Sequence, residues 1–346
     1  MTGTRPVTVS VVIVNFNREE LLRRCLASLK SQTFRDFEII VVDNGSSDSS
    51  PGYIRSLQGT VVDKSVFLER NTGFTGGCNR GIILASGRYV ALINNDAEAE
   101  PDWISALVKT AEKDRYAGMW ASKILFHGTD IIDKTGHLIF PDGQNRGRGT
   151  GERDRGQYQV EEEALFPDGC AALYRRELLE ETGGFDEDFF AYADDADLGL
   201  RARWLGWSCV YVPAAVVYHR HSSTTGSFDP GKIYWVERNR IWLAVKNLPL
   251  PLLLLSPLCT AYRFAWNLQA ALFRRGSAGS FRADHSWKTV VGVLARATWD
   301  GWAGIPPQLR KRKKIMRARR IDTMAFCRIL CRFRISARRL TMEGRE

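Results

Sequence analysis

Residues 87–96 read GRYVALINND. This stretch is the strongest indication in the sequence of an α/β fold. Tyr89 to Leu92 are apolar or aromatic, which is typical of a buried parallel strand covered by helices. The strand ends in Asn94, Asn95 and Asp96. Ligands bind outside the carboxyl ends of strands in open α/β sheets, and an aspartate there can hold a hard metal ion that also contacts phosphate. The alternative is that these residues only form a turn and cap the next helix.

The composition is that of an ordinary globular protein. The chain has 346 residues, enough for one large domain or two, with 44% hydrophobic and 25% charged residues. Its net charge of +10 is concentrated near the C-terminus, where residues 310–346 carry 14 Lys and Arg against three acids. The remainder is therefore close to neutral. This balance argues against a basic nucleic-acid-binding core and makes the tail a separate electrostatic feature.

The cysteines and the N-terminal residues indicate the cellular compartment of the protein. The seven cysteines show neither zinc-type spacing nor a dense disulfide framework. The first residues, MTGTRPVTVS, lack the apolar region of a secretory signal. We therefore expect a reducing, cytoplasmic compartment.

A strand–helix–strand unit opens the chain. Val7–Asn15 is rich in Val and Ile and predicts a buried strand, Glu19–Gln32 has the spacing of an amphipathic helix, and Phe37–Asp43 predicts a second strand. The polar stretch Asn44–Pro51 is a loop. The short connections predict a parallel βαβ unit with a right-handed crossover.

Polar side chains at the ends of these two strands suit a nucleotide. Asn15 and Asn17 follow the first strand, and Asp43 and Asp48 follow the second. A carboxylate at Asp43 could accept hydrogen bonds from a base or from a ribose hydroxyl. Because no glycine follows the first strand, the dinucleotide-binding fingerprint is absent.

Asn71–Gly81, NTGFTGGCNRG, is rich in glycine. Glycines such as Gly76 and Gly77 would let the backbone approach a phosphate at the start of a helix that the pattern predicts over Cys78–Ala85. A purely structural role for this turn is the alternative.

Five motifs in chain order resemble the family 2 glycosyltransferases, and most closely the rhamnosyltransferase-like subset that builds bacterial cell-wall or surface polysaccharide. The resemblance runs from about Val7 to His221. The motifs are VSVVIVNFN (Val9–Asn17), VVDNGSSD (Val41–Asp48), NTGFTGGCNRG (Asn71–Gly81), GRYVALINND (Gly87–Asp96) and GGFDEDFFAYADDADLGLRARWLGW (Gly183–Trp207).

The resemblance implies a GT-A fold, which is a Rossmann-like, mostly parallel sheet with flanking helices, together with a nucleotide-sugar donor and Mg²⁺ or Mn²⁺. Asn94-Asn95-Asp96 stands where most of the family has Asp-x-Asp or Asp-Asp, so Asp96 would be the main metal ligand. His219 would complete the metal site, and His221 is a weaker candidate. The donor-binding residues it implies are Asn15, Asn17, Asp43, Asn71, Gly76, Gly77, Asn79 and Asn95.

The resemblance also implies the catalytic residues of an inverting single displacement. The second acid of a Glu-Asp pair is the family's general base, which corresponds to Asp195, and Asp194 replaces the Glu. A carboxylate is chemically suited to take the proton of an attacking hydroxyl. The alternative is that both acids cap the helix that begins here. Leu200 stands in the place of the Gln of the processive motif Gln-x-x-Arg-Trp, so we expect transfer of one sugar per encounter.

Pro141–Gln157 is glycine-rich and charged, with no apolar period. Such a stretch predicts either a flexible flap over the acceptor side or a solvated surface loop.

The chain changes character after residue 230, so we predict a glycosyltransferase domain over residues 1–230 and a helical region over 231–346. Leu248–Phe273 contains a single charge, Arg263, but three prolines, which predicts helices that lie in or dip into one membrane leaflet. A buried helical subdomain is the alternative. Arg310–Leu340 combines a basic cluster with apolar residues at helical spacing, which predicts a membrane-surface tail; these are Phe326, Leu330, Phe333, Ala337 and Leu340.

These features together predict a peripheral or monotopic enzyme at the cytoplasmic face of the cell membrane. The resemblance favours dTDP-rhamnose as the donor, with a UDP-sugar as the alternative, and a polyprenyl-diphosphate-linked saccharide as the acceptor. We expect no nucleic-acid partner. Two other hypotheses are a nucleotidyltransferase on a related sheet and a nucleic-acid-associated protein that uses the basic tail, although the second leaves the neutral core and its carboxylates unexplained.

Overall fold

The computed structural model describes residues 7–220, 229–273 and 284–342. Its strands are β1 (Val9–Asn15), β2 (Phe37–Asp43), β3 (Lys64–Phe67), β4 (Tyr89–Ile93), β5 (Ala97–Ala99), β6 (Ala117–Phe126), β7 (Ile132–Lys134), β8 (His137–Ile139), β9 (Asn145–Gly147), β10 (Glu162–Ala164), β11 (Ala171–Arg175) and β12 (Ser208–His219). His221 lies outside the described residues.

Helices flank these strands and dominate the C-terminal third. They are α1 (Glu19–Lys30), α2 (Ser50–Leu57), α3 (Gly73–Leu84), α4 (Trp103–Ala111), α5 (Arg176–Thr182), α6 (Asp194–Trp204), α7 (Pro230–Asn247), α8 (Leu250–Leu272), α9 (Trp287–Ala303), α10 (Ile305–Ala318), α11 (Thr323–Arg332) and α12 (Ala337–Met342), with a short 3₁₀ turn over Glu187–Phe189.

The central sheet has the strand order β10-β12-β6-β11-β4-β1-β2-β3, with β5 paired to β12 and β7 to β6. Strands β1, β2, β3 and β4 form the parallel part, and β6 is parallel to β12, whereas β11 runs antiparallel to both of its neighbours. The predicted mixed α/β fold with a mostly parallel sheet is confirmed. Since β1 pairs with β2 on one side and β4 on the other, the strand order reverses here, which is where such sheets bind ligands.

Apolar side chains bury both faces of the sheet. Along β1, Val11 and Ile13 pack into the core beneath α1 and α4, whereas Val12 packs into the core beneath α3 and α6. This alternation follows from the two-residue period of a strand. The result is a three-layer sandwich in which helices cover both faces of the sheet and the strand ends are left open to a ligand.

Helix α3 begins at Gly73, five residues earlier than the pattern predicted. The glycine-rich stretch is therefore helical itself. A Cβ atom on Gly77 would lie 2.5 Å from Val14, and one on Gly81 would lie 2.2 Å from Val12. These glycines let the helix backbone lie directly on β1.

The segment 141–157 divides into two parts. Residues 151–157 are largely exposed, as expected of a solvated surface loop. Residues 141–150 are not a solvated loop, because β9 lies within them and pairs with β8, and Asp142 is fully buried. Its carboxylate lies 2.7 Å from Arg263 of α8 and 3.6 Å from Arg240 of α7. No hydrophobic period is visible in this segment because the partners of Asp142 come from helices about a hundred residues further along the chain.

The apolar stripe of the C-terminal tail lies in the protein core, so its prediction as a membrane anchor is wrong. Phe326 is fully buried and stacks on Trp204 with 3.8 Å between ring centroids. Leu330 and Phe333 are buried with it. Part of the basic cluster is also used internally, since Lys311 lies 2.5 Å from Asp186.

Helix α8 does not form the buried subdomain that was the alternative. Leu254 is 72% exposed and Leu258 is 70% exposed. Within the three described ranges, no helix combines the length and the apolar content needed to cross a bilayer. The division of the chain at residue 230 stays a prediction.

Candidate functional site

The ends of β1, β2 and β4 bring three polar side chains together. Asn95 Nδ2 donates a hydrogen bond of 2.8 Å to Asn15 Oδ1, and Asn15 Nδ2 donates one of 3.3 Å to Asp43 Oδ1. All three residues are buried. Parallel strands in register end at one edge, and the β1–β2 register places Asn15 opposite Asp43. The chain of amides therefore links the predicted nucleotide end of the site to the Asn-Asn-Asp motif.

Asn17 and Asn71 shape the loops beside this edge. Asn17 adopts a left-handed backbone with φ 58°, and its Oδ1 accepts a hydrogen bond of 2.8 Å from the N–H of Ser47. Asn71 Oδ1 accepts from the N–H of Gly73 at 2.8 Å and from Asn44 Nδ2 at 3.1 Å. Both asparagines hold backbone in conformations that leave the strand ends open.

Asp96 and His219 meet because β5 pairs with the end of β12, which puts His219 opposite Ala97. His219 Nε2 lies 3.3 Å from Asp96 Oδ1, and His219 Nδ1 lies 2.8 Å from Asp133 Oδ2. Burial opposes protonation of His219, but Cys170, Asp133 and Asp96 raise the pKa of its imidazole well above the usual value. Asp133 holds the ring so that Nε2 points toward Asp96.

A second buried cluster lies in the same cavity. His137 Nε2 lies 3.0 Å from Asp168 Oδ2 and 3.6 Å from Asp195 Oδ2, and its ring stacks on Phe166. Lys134 Nζ lies 2.5 Å from the same oxygen of Asp168. Burial would raise the pKa of Asp168, but Lys134 and His137 hold it well below its usual value. The cluster places the Lys134 ammonium and the His137 imidazole beside the candidate base.

Asp194 and Asp195 are the first two residues of α6, and Ala193 is its N-cap. Asp195 accepts hydrogen bonds from the N–H of Ala196 at 2.7 Å and of Gly169 at 3.4 Å. Burial raises the pKa of Asp195, although His137 opposes the shift. Burial, with Asp195 next to it, raises the pKa of Asp194 well above its usual value. A buried carboxylate whose pKa is raised is a stronger base than one in water.

The turn before α6 is strained and clamped from α7. Tyr192 and Ala193 have positive φ angles of 68° and 57°. Asn239 Nδ2 donates hydrogen bonds to the carbonyl oxygens of Phe189, Ala191 and Tyr192 at 2.8–2.9 Å. Non-glycine residues keep such conformations only where neighbours impose them. Helix α7 thus fixes the position from which Asp195 projects.

A cavity of about 1630 Å³ lies at this edge of the sheet. The predicted residues that line it are Asn71, Asn95, Asp96, Asp194, Asp195 and His219. Asn15, Asn17 and Asp43 lie behind this first layer.

Three predicted donor-binding residues lie elsewhere. Gly76 and Gly77 sit inside α3, where added Cβ atoms would meet Thr72 and Val14. Asn79 donates hydrogen bonds to the carbonyl of Phe185 and to Glu187. The structure assigns these residues to packing and to loop attachment, so the predicted phosphate cradle at the glycines is not supported.

Two sets of side chains in the cavity have the chemistry to hold a divalent cation. Asp96 and His219 supply one carboxylate and one imidazole, with Asp133 as the outer partner that orients the ring, an arrangement usual at metal sites. His137, Asp168 and Asp195 also bring ligand atoms within 4.8 Å of one another. Because the Lys134 ammonium already contacts Asp168, the first set fits a cation better.

The residues missed by the sequence analysis are Asp133, Lys134, His137, Asp168 and Asn239. Asp133, Lys134 and His137 lie within IIDKTGH, where ionisable side chains follow apolar ones. That clustering was the available signal. Asn239 carries none, because its role depends entirely on where α7 packs.

Comparisons with known proteins agree with this geometry. The family model for glycosyl transferase family 2 matches residues 10–183, and that for glycosyl transferase family group 2 matches residues 153–298. The chain is 28% identical over 252 residues to N-acetylglucosaminyl-diphospho-decaprenol L-rhamnosyltransferase of Mycobacterium tuberculosis, covering 66% of this chain and 80% of the relative. It is 30% identical over 192 residues to GalNAc(5)-diNAcBac-PP-undecaprenol beta-1,3-glucosyltransferase of Campylobacter jejuni, covering 55% and 58%.

Among solved structures, the mannosyltransferase PcManGT of Pyrobaculum calidifontis, in complex with GDP-Man and Mn²⁺, matches with a TM-score of 0.54 and 17% identity. The match covers 91% of this chain and 86% of that one, and it shows the fold alone. Against three further curated relatives, the chain spans 25%, 54% and 20% of their length. Since the model for glycosyl transferase family 2 matches half of the chain, from β1 to the end of α5, the chain belongs to glycosyltransferase family 2.

Proposed function

We propose that this protein transfers one sugar, with inversion, from a nucleotide-sugar donor to a polyprenyl-diphosphate-linked saccharide. The observation that carries the proposal is the single cavity in which Asp195 and the Asp96–His219 pair meet at the carboxyl ends of the strands. The names of the relatives from Mycobacterium and Campylobacter support a polyprenyl-linked acceptor. The first of them favours dTDP-rhamnose as the donor, with a UDP-sugar as the alternative.

In the proposed reaction, an acceptor hydroxyl oxygen attacks the anomeric carbon as the bond from that carbon to the donor's phosphate oxygen breaks. The hydroxyl proton passes to the carboxylate of Asp195, and the nucleoside diphosphate leaves with the bonding electron pair. Burial and the neighbouring Asp195 raise the pKa of Asp194 and so disfavour a second charge beside Asp195. Asp195 passes the proton on to solvent before the next transfer, so one proton is released for each sugar transferred.

Asp96 and His219 would hold Mg²⁺ or Mn²⁺, with the donor diphosphate supplying further oxygens. The cation would neutralise the charge that develops on the leaving diphosphate. Asn95, Asn15 and Asp43 form the hydrogen-bonded row beside that pair, and we assign the nucleotide to this row.

We place the enzyme at the cytoplasmic face of the membrane, because its acceptor is anchored there. The exposed leucines of α8 support this proposal, since isolated soluble domains rarely expose large apolar patches. A helix that lies in the interface gains from buried apolar area without spanning.

A donor panel tests the proposal. The protein is incubated with nucleotide sugars and a polyprenyl-diphosphate-linked N-acetylglucosamine, and the released products are identified. We expect nucleoside diphosphate and an extended acceptor, with dTDP-rhamnose the best donor. Release of pyrophosphate would instead identify a nucleotidyltransferase.

Replacing Asp195 with Asn tests the assignment of the base. The variant keeps the shape of the side chain but cannot take the proton, so turnover should fall by about 10²–10⁴. Donor binding, measured by calorimetric titration, should stay within about twofold because the donor row does not include Asp195. Near-normal turnover, or an equal loss of donor affinity, would remove Asp195 from this role.

A further inference from the structure

The cavity is larger than one nucleotide sugar requires. Pockets for single small ligands usually measure about 300–1,000 Å³, whereas this one measures about 1630 Å³. Its polar end is formed by the strand ends and the carboxylates already described. The remainder extends between α8 and α9.

Helices α8 and α9 each turn one face into this extension. On α8 the lining residues are Arg263, Phe264, Asn267, Leu268 and Ala271, which have the spacing of one helical face. On α9 the lining residues recur every three or four positions from Trp287 to Trp302. Asn267 and Thr298 are the uncharged polar side chains on these two faces, and the one charged lining residue of the two helices, Arg263 of α8, is buried and paired with Asp142 and Glu237. The wall is therefore suited to hydrocarbon.

This apolar wall is open to the outside. Leu268 is 52% exposed, Val291 is 60% exposed and Trp299 is 72% exposed. Side chains of this size are not left in water at a concave surface without a ligand or partner to cover them. The outer face of α8, with Leu254 and Leu258, continues the apolar surface beyond the cavity.

We infer that the extension, which we call the α8–α9 groove, binds the isoprenoid chain of the acceptor. This inference rests on the proposed function. The groove is continuous with the carboxylate end, so its occupant is joined to the group that reacts. An extended peptide would need backbone hydrogen-bond partners that these two helical faces do not offer, whereas an isoprenoid chain needs none. The open side lets the chain pass from the groove toward a bilayer.

Binding is tested with farnesyl diphosphate that carries a benzophenone at its apolar end, in detergent solution. After irradiation, mass spectrometry should find crosslinked peptides from α8 and α9. Leu268→Gln should reduce crosslinking about tenfold because it puts an amide against the chain. Leu272→Gln is the matched control: Leu272 is 63% exposed one turn further along α8 and does not line the cavity. Equal crosslinking in both variants, or crosslinks elsewhere, would overturn the inference that the α8–α9 groove binds the isoprenoid chain.

Kinetics separate this inference from the proposed function. With acceptors that differ only in their isoprenoid chain, the KM for a long chain should rise about tenfold in Leu268→Gln and Val291→Gln, while that for a short citronellyl chain should not change. Transfer with equal KM values for both chains would reject the groove and leave the function standing. Crosslinking in the groove without any sugar transfer would support the groove and reject the proposed function. Concentration-dependent dimerisation that Leu268→Gln abolishes, with no crosslinking of the farnesyl probe in the groove, would assign the groove to a second copy of the chain.

Discussion

Asp133 fixes the orientation of the His219 imidazole ring in the cavity. Its carboxylate lies 2.8 Å from Nδ1 of His219, which leaves Nε2 directed toward Asp96. A carboxylate on the far nitrogen both fixes the ring and increases its basicity as a ligand. The Asp-x-Asp position retains a single carboxylate in this chain, so the site depends more on the second ligand and on what orients it.

Replacing Asp133 with Asn should raise the Mg²⁺ or Mn²⁺ concentration for half-maximal activity by about 10–100-fold, because the ring loses its orienting charge. Activity at saturating metal should recover most of its value. Asp130→Asn is the control, since Asp130 is exposed and pairs with Arg153 on the surface. The measurement is a metal titration of initial rates. An unchanged titration for Asp133→Asn, together with a shifted one for Asp168→Asn, would move the metal site to the His137 cluster.

Asp194 should make stability depend on pH. Its pKa is raised in the folded protein, so above the unfolded value of about 4 the native state holds a proton that the unfolded chain has lost. The free energy of unfolding therefore falls as pH rises through this window, by about 1.4 kcal/mol for each pH unit and proton. Asp195 contributes with the same sign.

The substitution Asp194→Asn removes this pH-dependent loss of stability, because an amide does not titrate. The variant should melt at a higher temperature than the parent at pH 7, and the difference should shrink toward pH 4. Scanning calorimetry between these values measures it. A difference that grows on acidification would mean that Asp194 is charged in the native state.

Helix α11 belongs to the core of the enzyme. Phe326 stacks flat on Trp204 of α6, the helix that begins with Asp194 and Asp195, the pair to which we assign catalysis. Helix α6 is also tied to α7, because Lys246 lies 2.9 Å from the buried carboxylate of Asp197. Within α6, Arg201 lies 2.8 Å from the same carboxylate.

Phe326→Ala should lower the free energy of unfolding by about 3–5 kcal/mol, as usual for truncating a buried phenylalanine. Met324→Ala is the matched control on the same helix; Met324 is 71% exposed, so its loss should cost less than about 0.5 kcal/mol. Urea denaturation measures both. If both variants lost equally little free energy of unfolding, Phe326 would be exposed, as the membrane-anchor prediction expected.

Membrane attachment, where we propose it, should depend on α8 and not on the tail. Deleting residues 310–346 would strip buried side chains from the core, so point variants are the sharper test. Leu254→Asp with Leu258→Asp should lower partition onto anionic liposomes by at least about tenfold. Ile83→Asp with Val160→Asp is the control, since both residues are 71% exposed and lie outside the C-terminal helices.

Sedimentation across a salt series measures the partition. A salt-sensitive part should remain in the leucine variant, because basic side chains attract anionic lipid by about 1 kcal/mol each before screening. Equal losses in both double variants would indicate a general solubility effect and reject α8 as the membrane face.

Local pattern was enough for the parallel half of the molecule. Three strands, β1, β2 and β4, are nearly continuous apolar runs, as expected of buried parallel strands. Helix α1 has apolar residues on one face at helical spacing, and that face is buried. Because parallel strands end at one edge, the same pattern brought Asn15, Asp43 and Asn95 together without knowledge of the tertiary structure. The resemblance to the family added the roles of Asp96, Asp195 and His219, and the structure places these three in one cavity.

Three features depended on contacts between distant parts of the chain. Asp133 and His137 come from a segment without period, and they reach the site because β7 pairs with β6 and the β8–β9 pair follows. Asn239 meets the turn before α6 only through the packing of α7. Periodicity also could not tell a membrane-facing stripe from a core-facing one, since both need apolar residues at helical spacing. Phe326 is buried because Trp204 lies opposite it, whereas Leu254 has no such partner among the described residues; that difference exists only once the helices are packed.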